Sequence, residues 1–555
     1  MAQSIPAKAE APEIISRNPA TGEEIGRAPL TMPEEVARAV DRARGAQPLW
    51  ANKSFRDRGR VIMRARKIIL KELDEIALLI SRETGKPASE AVSMEMAGSL
   101  DLMQYFARRT ESLLQRERIS IGLYNWLGRT SYLVYKPIGV VGIISPWNFP
   151  WATPLDEVVM ALMAGNAVVL KPSELTPLTG LKIKEVLDRA GLPEGLLEVV
   201  TGDGSTGAAL MGAGVDKVMF TGSVATGKRV AEAAANYLIP VVLELGGKDA
   251  MIVLEDANIE NAARGAIWGA FANCGQSCAA VERCYVHESI AQKFTDAVVA
   301  ETKRLILGTG TPRPHVSEPG AATGTQTQLE PKRAIRAGGA PALPVYDIGS
   351  MSSEQQLRIV ERHVYEATAN GAKALTGGER TADADGPFFP PTVLTNVNHE
   401  MAVMREETFG PVLPIMSFKT DDEAVRLAND SDYGLTASVW TSDLSRGKRI
   451  AEQIEAGTVT INEVLYTHSI AQTPWSGVKQ SGFGSTHGRA GLLELVNAQH
   501  IHVNRFPFVP DVWWFSYTPS AGKLFRSLAR RFASGSIVQT LLVLPAMIRR
   551  LRERR

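Results

Sequence analysis

The sequence is short of cysteine, of net charge and of long apolar runs. Its three cysteines, Cys274, Cys278 and Cys284, fall within eleven of its 555 residues. An odd number clustered in one place makes no disulfide framework and fits a reducing compartment. Lys+Arg total 61 and Asp+Glu total 60, a net charge of +1. A chain without basic excess is a poor general nucleic-acid binder, and none is expected as a partner. No run of 18 apolar residues occurs, so no membrane-spanning helix is expected. The start, MAQSIPAKAEAPEIISRNPA, lacks an apolar core of signal-peptide length, and the expected location is the cytoplasm. With 45% hydrophobic and 22% charged residues, the composition is that of an ordinary globular protein. It excludes a disordered chain and a collagen, and the length fits three or four domains.

The even charge hides an asymmetry. Between Ala521 and Arg555 there are nine Lys and Arg against one Glu, a net +8 that leaves −7 for the other 520 residues. Leu524, Phe525, Leu528 and Phe532 recur at helical spacing there, with Lys523, Arg526, Arg530 and Arg531 between them. The run Ile537 to Ile548 is apolar apart from Gln539 and Thr540, but is interrupted by Pro545 and too short to span a bilayer. A basic amphipathic tail of this kind suits an anionic membrane surface, and equally suits packing on its own protein or a neighbouring subunit.

Residues 34–116 read as helical, with apolar positions at steps of three and four. A β-rich piece, Tyr132 to Tyr135, follows. Short apolar runs then alternate with helical segments: VVGIIS (140–145), AVVL (167–170), LLEVV (196–200), KVMFT (217–221), VVLEL (241–245) and AMIVL (250–254). Such alternation predicts a parallel sheet covered on both faces, with ligands at the carboxyl ends of its strands. A second α/β stretch runs from about residue 255 to 470. It is interrupted at 311–345, a segment rich in Pro, Gly, Ala and Thr that reads as a mobile surface insertion.

Four places carry candidate chemistry. In FANCGQSCAAVERC, Cys-x3-Cys-x5-Cys has no histidine partner nearby and is no zinc site, so no metal is expected. Cys278, between Ser277 and Ala279 and after Gly275–Gln276, could serve as a nucleophile. Taken alone it fits a buried inert thiol better. Glu244 of Leu-Glu-Leu-Gly-Gly-Lys (243–248) ends an apolar strand at two glycines. Burial would make it a general base; the plainer role is to cap a turn. Phe-Thr-Gly-Ser-Val-Ala-Thr-Gly-Lys (220–228) runs from strand through Gly222 and Ser223 into a helix, the arrangement that holds phosphates, although it is not the strict G-x-G-x-x-G pattern. Ser-Pro-Trp-Asn-Phe-Pro (145–150) places the Asn148 carboxamide after the first sheet strand. It could be an oxyanion donor or part of a proline-locked turn.

In chain order the motifs are WNFP, KPSE, FTGS, ELGGK, GQSC and EETFGPV. Together they resemble the aldehyde dehydrogenase superfamily, from about Asn18 to about Asn504. The resemblance implies an α/β fold with a Rossmann-type parallel-sheet cofactor domain (12–118 and 138–247) and an α/β catalytic domain (248–477). A small β oligomerisation element (119–137 and 478–505) and a basic C-terminal extension (506–555) complete it. It implies Cys278 as nucleophile through a thiohemiacetal and a thioester, Asn148 with the Cys278 backbone N–H as oxyanion hole, and Glu244 as the base that activates hydrolytic water. Cys274 would be a bystander and Cys284 core. For the cofactor it implies Lys171 and Glu174 at the adenosine ribose, Gly222 and Ser223 at the pyrophosphate, and Glu407 and Phe409 at the nicotinamide ribose and ring, with Trp147 beside them. Glu174 favours NAD, since a 2′-phosphate would add like charge, while NADP stays open. A homodimer or homotetramer is expected.

The sequence departs from that pattern in places. Asp-x-Gly-Pro appears as Asp347-Ile348-Gly349-Ser350, and SGFGSTHG (481–488) stands for the commoner SGxGRExG, which changes the oligomer contact or a charge near the site. The tail, with WWFSYTPS (513–520), resembles extensions of a membrane-associated branch of the superfamily. Trp151, Met103 and Tyr466 are expected along the substrate path, without an arginine for a second carboxylate, which points to an apolar aliphatic or aromatic aldehyde. A CoA-acylating relative typically lacks the base that Glu244 would be. An idle scaffold on the same fold would not need Cys278, Glu244 and Asn148 together.

Overall fold

The computed structural model describes residues 12–308, 346–381, 386–508, 510–535 and 537–553. The insertion expected at 311–345 lies outside them. The chain divides into two compact units. One is drawn from Met1–Leu114 and Lys136–Asn497, the other from Gln115–Tyr135 and Ala498–Arg555.

The first unit contains two large sheets. In one, the strand order is Gly482–Phe483, Val241–Glu244, Lys217–Thr221, Val140–Ile144, Ala167–Lys171, Leu197–Val199. All neighbours are parallel except Gly482–Phe483, which runs antiparallel to Val241–Glu244. Chain order reverses across Val140–Ile144, so the crevice where such sheets bind ligands opens above that strand and Lys217–Thr221. The strands match the apolar runs of the sequence because each is buried on both faces, as a helix-covered parallel sheet requires.

The second sheet has the order Lys373–Thr376, Thr392–Thr395, Val412–Phe418, Val281–His287, Asp249–Val253, Thr436–Trp440, Thr458–Ile461. Only the Lys373–Thr376 pairing is antiparallel. The chain passes from one sheet to the other through Leu245–Lys248, directly after Glu244. An N-terminal hairpin, Glu13–Arg17 with Glu24–Pro29, precedes the helices and was not legible in the sequence. The helical stretch spans Pro33–Leu113 in several pieces, with a π-turn at Ala91–Met96.

The helix Ala152–Ala164 is central. All 13 of its residues are buried, Asp156 and Glu157 among them. Its first free amides, those of Trp151 and Ala152, donate to the Glu95 carboxylate at 2.8 and 3.2 Å. This satisfies orphan donors and places a negative group at the positive end of the helix.

The second unit holds a three-stranded sheet, Val496–Asn504, Arg129–Pro137, Glu117–Ile119, and two helices, Pro519–Ser534 and Ile537–Arg552. Leu524 and Leu528 are buried with Val512 and Val543. Of the two alternatives left open for the apolar stripe, packing on its own protein holds for Leu524 and Leu528, because the second helix returns along the first. Arg550 is buried and donates to the carbonyls of Trp514, at 3.0 Å, and Ser516.

One boundary is corrected. The segment 478–495, expected with the β element, belongs to the first unit: Val478–Lys479 pairs with Tyr433–Gly434, and Gly482–Phe483 with Glu244 and Leu243. Two glycines in the left-handed region, Gly482 (φ +113°) and Gly484 (φ +84°), let the chain press against that strand. A Cβ on Gly482 would lie 1.9 Å from the Leu243 carbonyl oxygen. Gly482→Ala is expected to cost about 1–3 kcal/mol or more through backbone strain and this clash. Urea unfolding of the two proteins measures the loss.

Candidate active site

Eight of the ten residues singled out in the sequence meet in one cavity of about 360 Å3: Trp147, Asn148, Gly222, Ser223, Glu244, Cys278, Glu407 and Phe409. Lys171 and Glu174 do not line it. They lie at the end of the adjacent strand, where Lys171 is buried and its Nζ is 3.3 Å from the half-exposed Glu174 carboxylate. Of the substrate-path residues, Tyr466 is in the wall. Trp151 and Met103 are buried in the core beneath, a correction to the expected path. Their places are taken by Met94, Phe149, Trp268, Leu465 and Trp475.

Cys278 follows an unusual turn. Asn273, Cys274 and Gly275 all have positive φ, at 54°, 56° and 70°. Side-chain bonds hold this costly backbone: Asn273 Nδ2 donates to the carbonyls of Asn148 and Gln276, both at 3.0 Å, and its N–H donates to Glu90 at 3.0 Å. The Gly275 backbone packs so closely on Gly410 that a Cβ would sit 2.2 Å from its carbonyl oxygen. Cys278 itself is half-buried, whereas Cys274 and Cys284 are fully buried. Burial, then the carboxylates Glu244, Asp249 and Glu407, raise the Cys278 thiol pKa, so it rests protonated.

Asn148 is fixed from three sides. Its Nδ2 donates to the Gln276 carbonyl at 3.1 Å, which leaves a second N–H of the amide. Its own carbonyl accepts from Lys86 Nζ at 2.6 Å and from Asn273. Lys86 is paired with Glu95 at 2.6 Å, and both side chains have no solvent exposure. A second buried pair, Lys248–Glu282 at 2.5 Å, does the same for the EETFGPV turn: Glu282 accepts the N–H groups of Thr408 and Phe409, both at 2.7 Å. Phe409 meets Trp147 edge to face at 5.5 Å. Glu407 accepts from the Gly247 N–H at 3.1 Å, and burial, with Glu282 nearby, pushes its pKa up to about 8.

Glu244 is buried at the end of its strand. Burial raises its pKa to about 7, against the opposing pull of bonds from Thr486 and Trp475. Thr486 Oγ1 donates to Glu244 Oε1 at 2.6 Å. Sequence reasoning missed Lys86, Glu95, Glu282, Asp156, Glu157 and the histidines 468 and 487. A signal existed for two of them, the adjacent acids inside the apolar run PLDEVVMALMAG.

The helix Val224–Ala235 starts at the cavity, capped by Ser223, whose hydroxyl accepts from the Thr226 N–H. Bare backbone at Gly222 and a helix N-terminus together suit a pyrophosphate. Residues 7–501 match the aldehyde dehydrogenase family. The chain belongs to that family. It is 37% identical over 513 residues to the 4,4'-diapolycopene aldehyde oxidase of a Methylomonas species, covering 92% of this chain and 90% of the relative. It is 38% identical over 519 residues to a putative succinate-semialdehyde dehydrogenase [NADP(+)] 2 of Mycobacterium tuberculosis, with 92% and 94% covered. A putative aldehyde dehydrogenase from Burkholderia cenocepacia superposes with a TM-score of 0.80 at 34% identity, over 90% of this chain and 96% of that one. An aldehyde dehydrogenase from Bacillus cereus in complex with NAD+ gives 0.79 at 32%, over 89% and 94%. The protein is thus an oxidoreductase that oxidises an aldehyde with NAD(P).

Removing Lys86 strands Glu95 as an unpaired buried charge and takes one of two donors from the Asn148 carbonyl. Lys86→Ala is expected to cost about 3–5 kcal/mol. Adding Glu95→Gln should recover part of it, a coupling that a double-mutant cycle on unfolding free energies measures.

Proposed function

We propose that this aldehyde dehydrogenase works by covalent catalysis at Cys278 and by hydrolysis assisted by Glu244. The observation that carries the reading is that a half-buried thiol, a free carboxamide N–H and a buried carboxylate share one cavity. Cys278 gives up its proton to cavity water as its sulfur bonds to the aldehyde carbon, whose C=O π pair moves onto oxygen, and a thiohemiacetal forms. The developing oxyanion is held by Asn148 Nδ2 and the Cys278 backbone N–H. NAD(P), when bound, supplies the hydride acceptor that turns the thiohemiacetal into a thioester. Glu244 then takes a proton from water as its oxygen attacks the thioester, and the C–S bond breaks to release the acid and the Cys278 thiolate. Gly222 and Ser223 would hold the pyrophosphate, Glu407 and Phe409 the nicotinamide ribose and ring, with Trp147 against Phe409. Lys171 and Glu174 would hold the adenosine ribose. A carboxylate there favours NAD, although the mycobacterial relatives are named for NADP.

An apolar aliphatic or aromatic aldehyde fits the cavity best. Met94, Phe149, Trp268, Leu465 and Trp475 line it, and no Lys or Arg among its lining residues could pair a second carboxylate. The test measures NADH or NADPH formation with hexanal, benzaldehyde and succinic semialdehyde. Cys278→Ala should be inactive. Glu244→Gln should give one burst and stall, since acylation survives and hydrolysis does not. Because Glu244 is a base only when ionised and its pKa is raised, the wild-type steady-state rate should climb as pH passes about 7. An unchanged steady state in Glu244→Gln removes Glu244 from the mechanism, and a higher kcat/KM for succinic semialdehyde than for hexanal removes the apolar preference.

The second unit supports two further parts of the reading. The nine-residue strand Val496–Asn504 is a mostly exposed sheet edge, suited to a homodimer or homotetramer. Among the described residues no helix is long and apolar enough to cross a membrane. Yet Phe508 and Phe515 are 96% and 80% exposed, and Trp514 and Tyr517 lie open beside them. With Lys523, Arg526 and Arg530 exposed on the next helix, this patch suits peripheral contact with an anionic membrane by a protein otherwise placed in the cytoplasm. The full chain should float with anionic but not neutral liposomes, and Phe508→Ser/Phe515→Ser should float much less. Equal recovery from all three mixtures refutes the contact.

A further inference from the structure

Behind Glu244 lies a cluster that the steps above do not use. Thr486 Oγ1, which donates to Glu244 at 2.6 Å, is also 2.9 Å from His487 Nδ1. On the far side of that ring, His487 Nε2 is 3.9 Å from Asp156 Oδ2. Asp156, His468 and His487 bring one nitrogen or oxygen each within 4.8 Å of one another. The His468 ring packs on His487 at 4.5 Å and forms part of the cavity wall. His487 Nε2 and Asp156 Oδ1 have no hydrogen-bond partner, though both residues are more than nine-tenths buried. Leaving two such atoms unmade is costly in a structural network. It is expected of groups that exchange protons.

We propose that Thr486, His487 and Asp156 form a proton relay that takes up the proton Glu244 collects from hydrolytic water, a role that rests on Glu244 being that base. The transfer is a concerted shift of three protons. The Glu244 carboxylic proton passes to Thr486 Oγ1, and the Thr486 hydroxyl proton passes to His487 Nδ1. The His487 Nε2 proton passes to the Asp156 carboxylate. Glu244 ends as a carboxylate accepting from Thr486, the arrangement seen in the structure, and His487 ends in its other neutral tautomer. After the acid leaves, the reverse shift returns the proton through Glu244 to cavity water and resets the relay. The 3.9 Å gap is closed by a small ring movement or one bridging water. Thr486 and His487 thus act as positioning residues and not as groups that touch the substrate.

The surroundings fit a relay. The helix Ala152–Ala164 contributes Asp156 and Glu157, the turn Tyr466–Ser469 contributes His468, and Cys278 and Glu407 face Glu244 across the cavity. Burial raises Asp156 to about 7, opposed by His468, which puts it level with Glu244. Burial, with Glu244 and Asp156 nearby, holds Glu157 protonated. Burial lowers His487 to about 4 and, with His487 beside it, His468 to about 3. Both rings are therefore neutral at physiological pH, able to accept at one nitrogen and donate from the other.

The test uses the full-length enzyme with Thr486→Val, Thr486→Ser and His487→Gln. Burst amplitude, steady-state kcat, its pH profile and its dependence on the deuterium fraction of the solvent are measured. Thr486→Val and His487→Gln should keep the burst and lose about tenfold or more in kcat. Their dependence on deuterium fraction should become linear, where the wild type curves because several protons move. Thr486→Ser, which keeps the hydroxyl, should restore kcat and the curvature. A His487→Gln enzyme with wild-type kcat, pH midpoint and curvature overturns the relay, as does loss of the burst in both variants, which would place the pair in acylation or folding. If Glu244→Gln turns over at the wild-type rate, it is the base beneath the relay that fails, a separate outcome.

Discussion

The site depends on the cost of burying charge. Lys86–Glu95 and Lys248–Glu282 are two ion pairs almost wholly out of water, and each could be worth less than an apolar pair of the same volume. Their value lies in what the remaining lone pairs and protons hold. Glu95 takes the first amides of the helix Ala152–Ala164 while Lys86 takes the Asn148 carbonyl. Glu282 takes the amides of Thr408 and Phe409 while Lys248 reaches the Thr408 hydroxyl. Two loops from different sheets are thereby fixed by the same device, one on each wall of the cavity. Both pairs must form for their carboxylates to be tolerated at all, so the loops cannot drift without a large penalty.

Close backbone approach works with these pairs. Gly246, Gly247 and Gly275 each stand where a Cβ would meet the neighbouring wall, at the Glu407 carboxylate, the Cys278 carbonyl and the Gly410 carbonyl. The crossover between the sheets, the turn before Cys278 and the EETFGPV turn therefore pack closely together. The strained run Asn273–Gly275 is held by the Asn273 amide, which bonds to the same Asn148 carbonyl that Lys86 reaches. The turn before Cys278 and the loop of Asn148 thus share one anchoring atom.

The electrostatics follow from burial without a compensating cation. Glu244, Asp156 and Glu157 all have raised pKa values for the same first cause, loss of water. That shift places Glu244 and Asp156 near neutrality, where they can both take and release a proton, while Glu157 is held protonated. The departure SGFGSTHG, which in the sequence only signals an altered charge or contact, is the segment that brings Thr486 and His487 against Glu244. Its register is set by Gly482, which pairs with Glu244 itself.

Periodicity and local motif determined much of this protein by themselves. The buried strands of the parallel sheet appear as uninterrupted apolar runs, and Cys278, Glu244 and Asn148 stand in motifs whose order resembles one family. These are local signals, because a strand buried on both faces must be apolar along its length and a tight turn beside a ligand must be glycine-rich. Tertiary structure decided the rest. Met103 and Trp151 were expected in the cavity wall, but lie in the core, because an apolar residue on the buried side of its segment carries no mark in sequence of whether core or cavity faces it. Lys86, Glu95 and Glu282 carry no local sign of their roles, since the Asn148 carbonyl, the amides of Trp151 and Ala152, and those of Thr408 and Phe409 reach them only in the folded chain. The segment 478–495 resembled part of the β element, yet it returns to Glu244, since strand pairing depends on which edge is open and on two glycines with positive φ. The stripe in the tail divides: Leu524 and Leu528 found a partner helix, while Phe532 stayed open. Sequence patterns fix what each segment needs, and only the folded chain decides which neighbour supplies it.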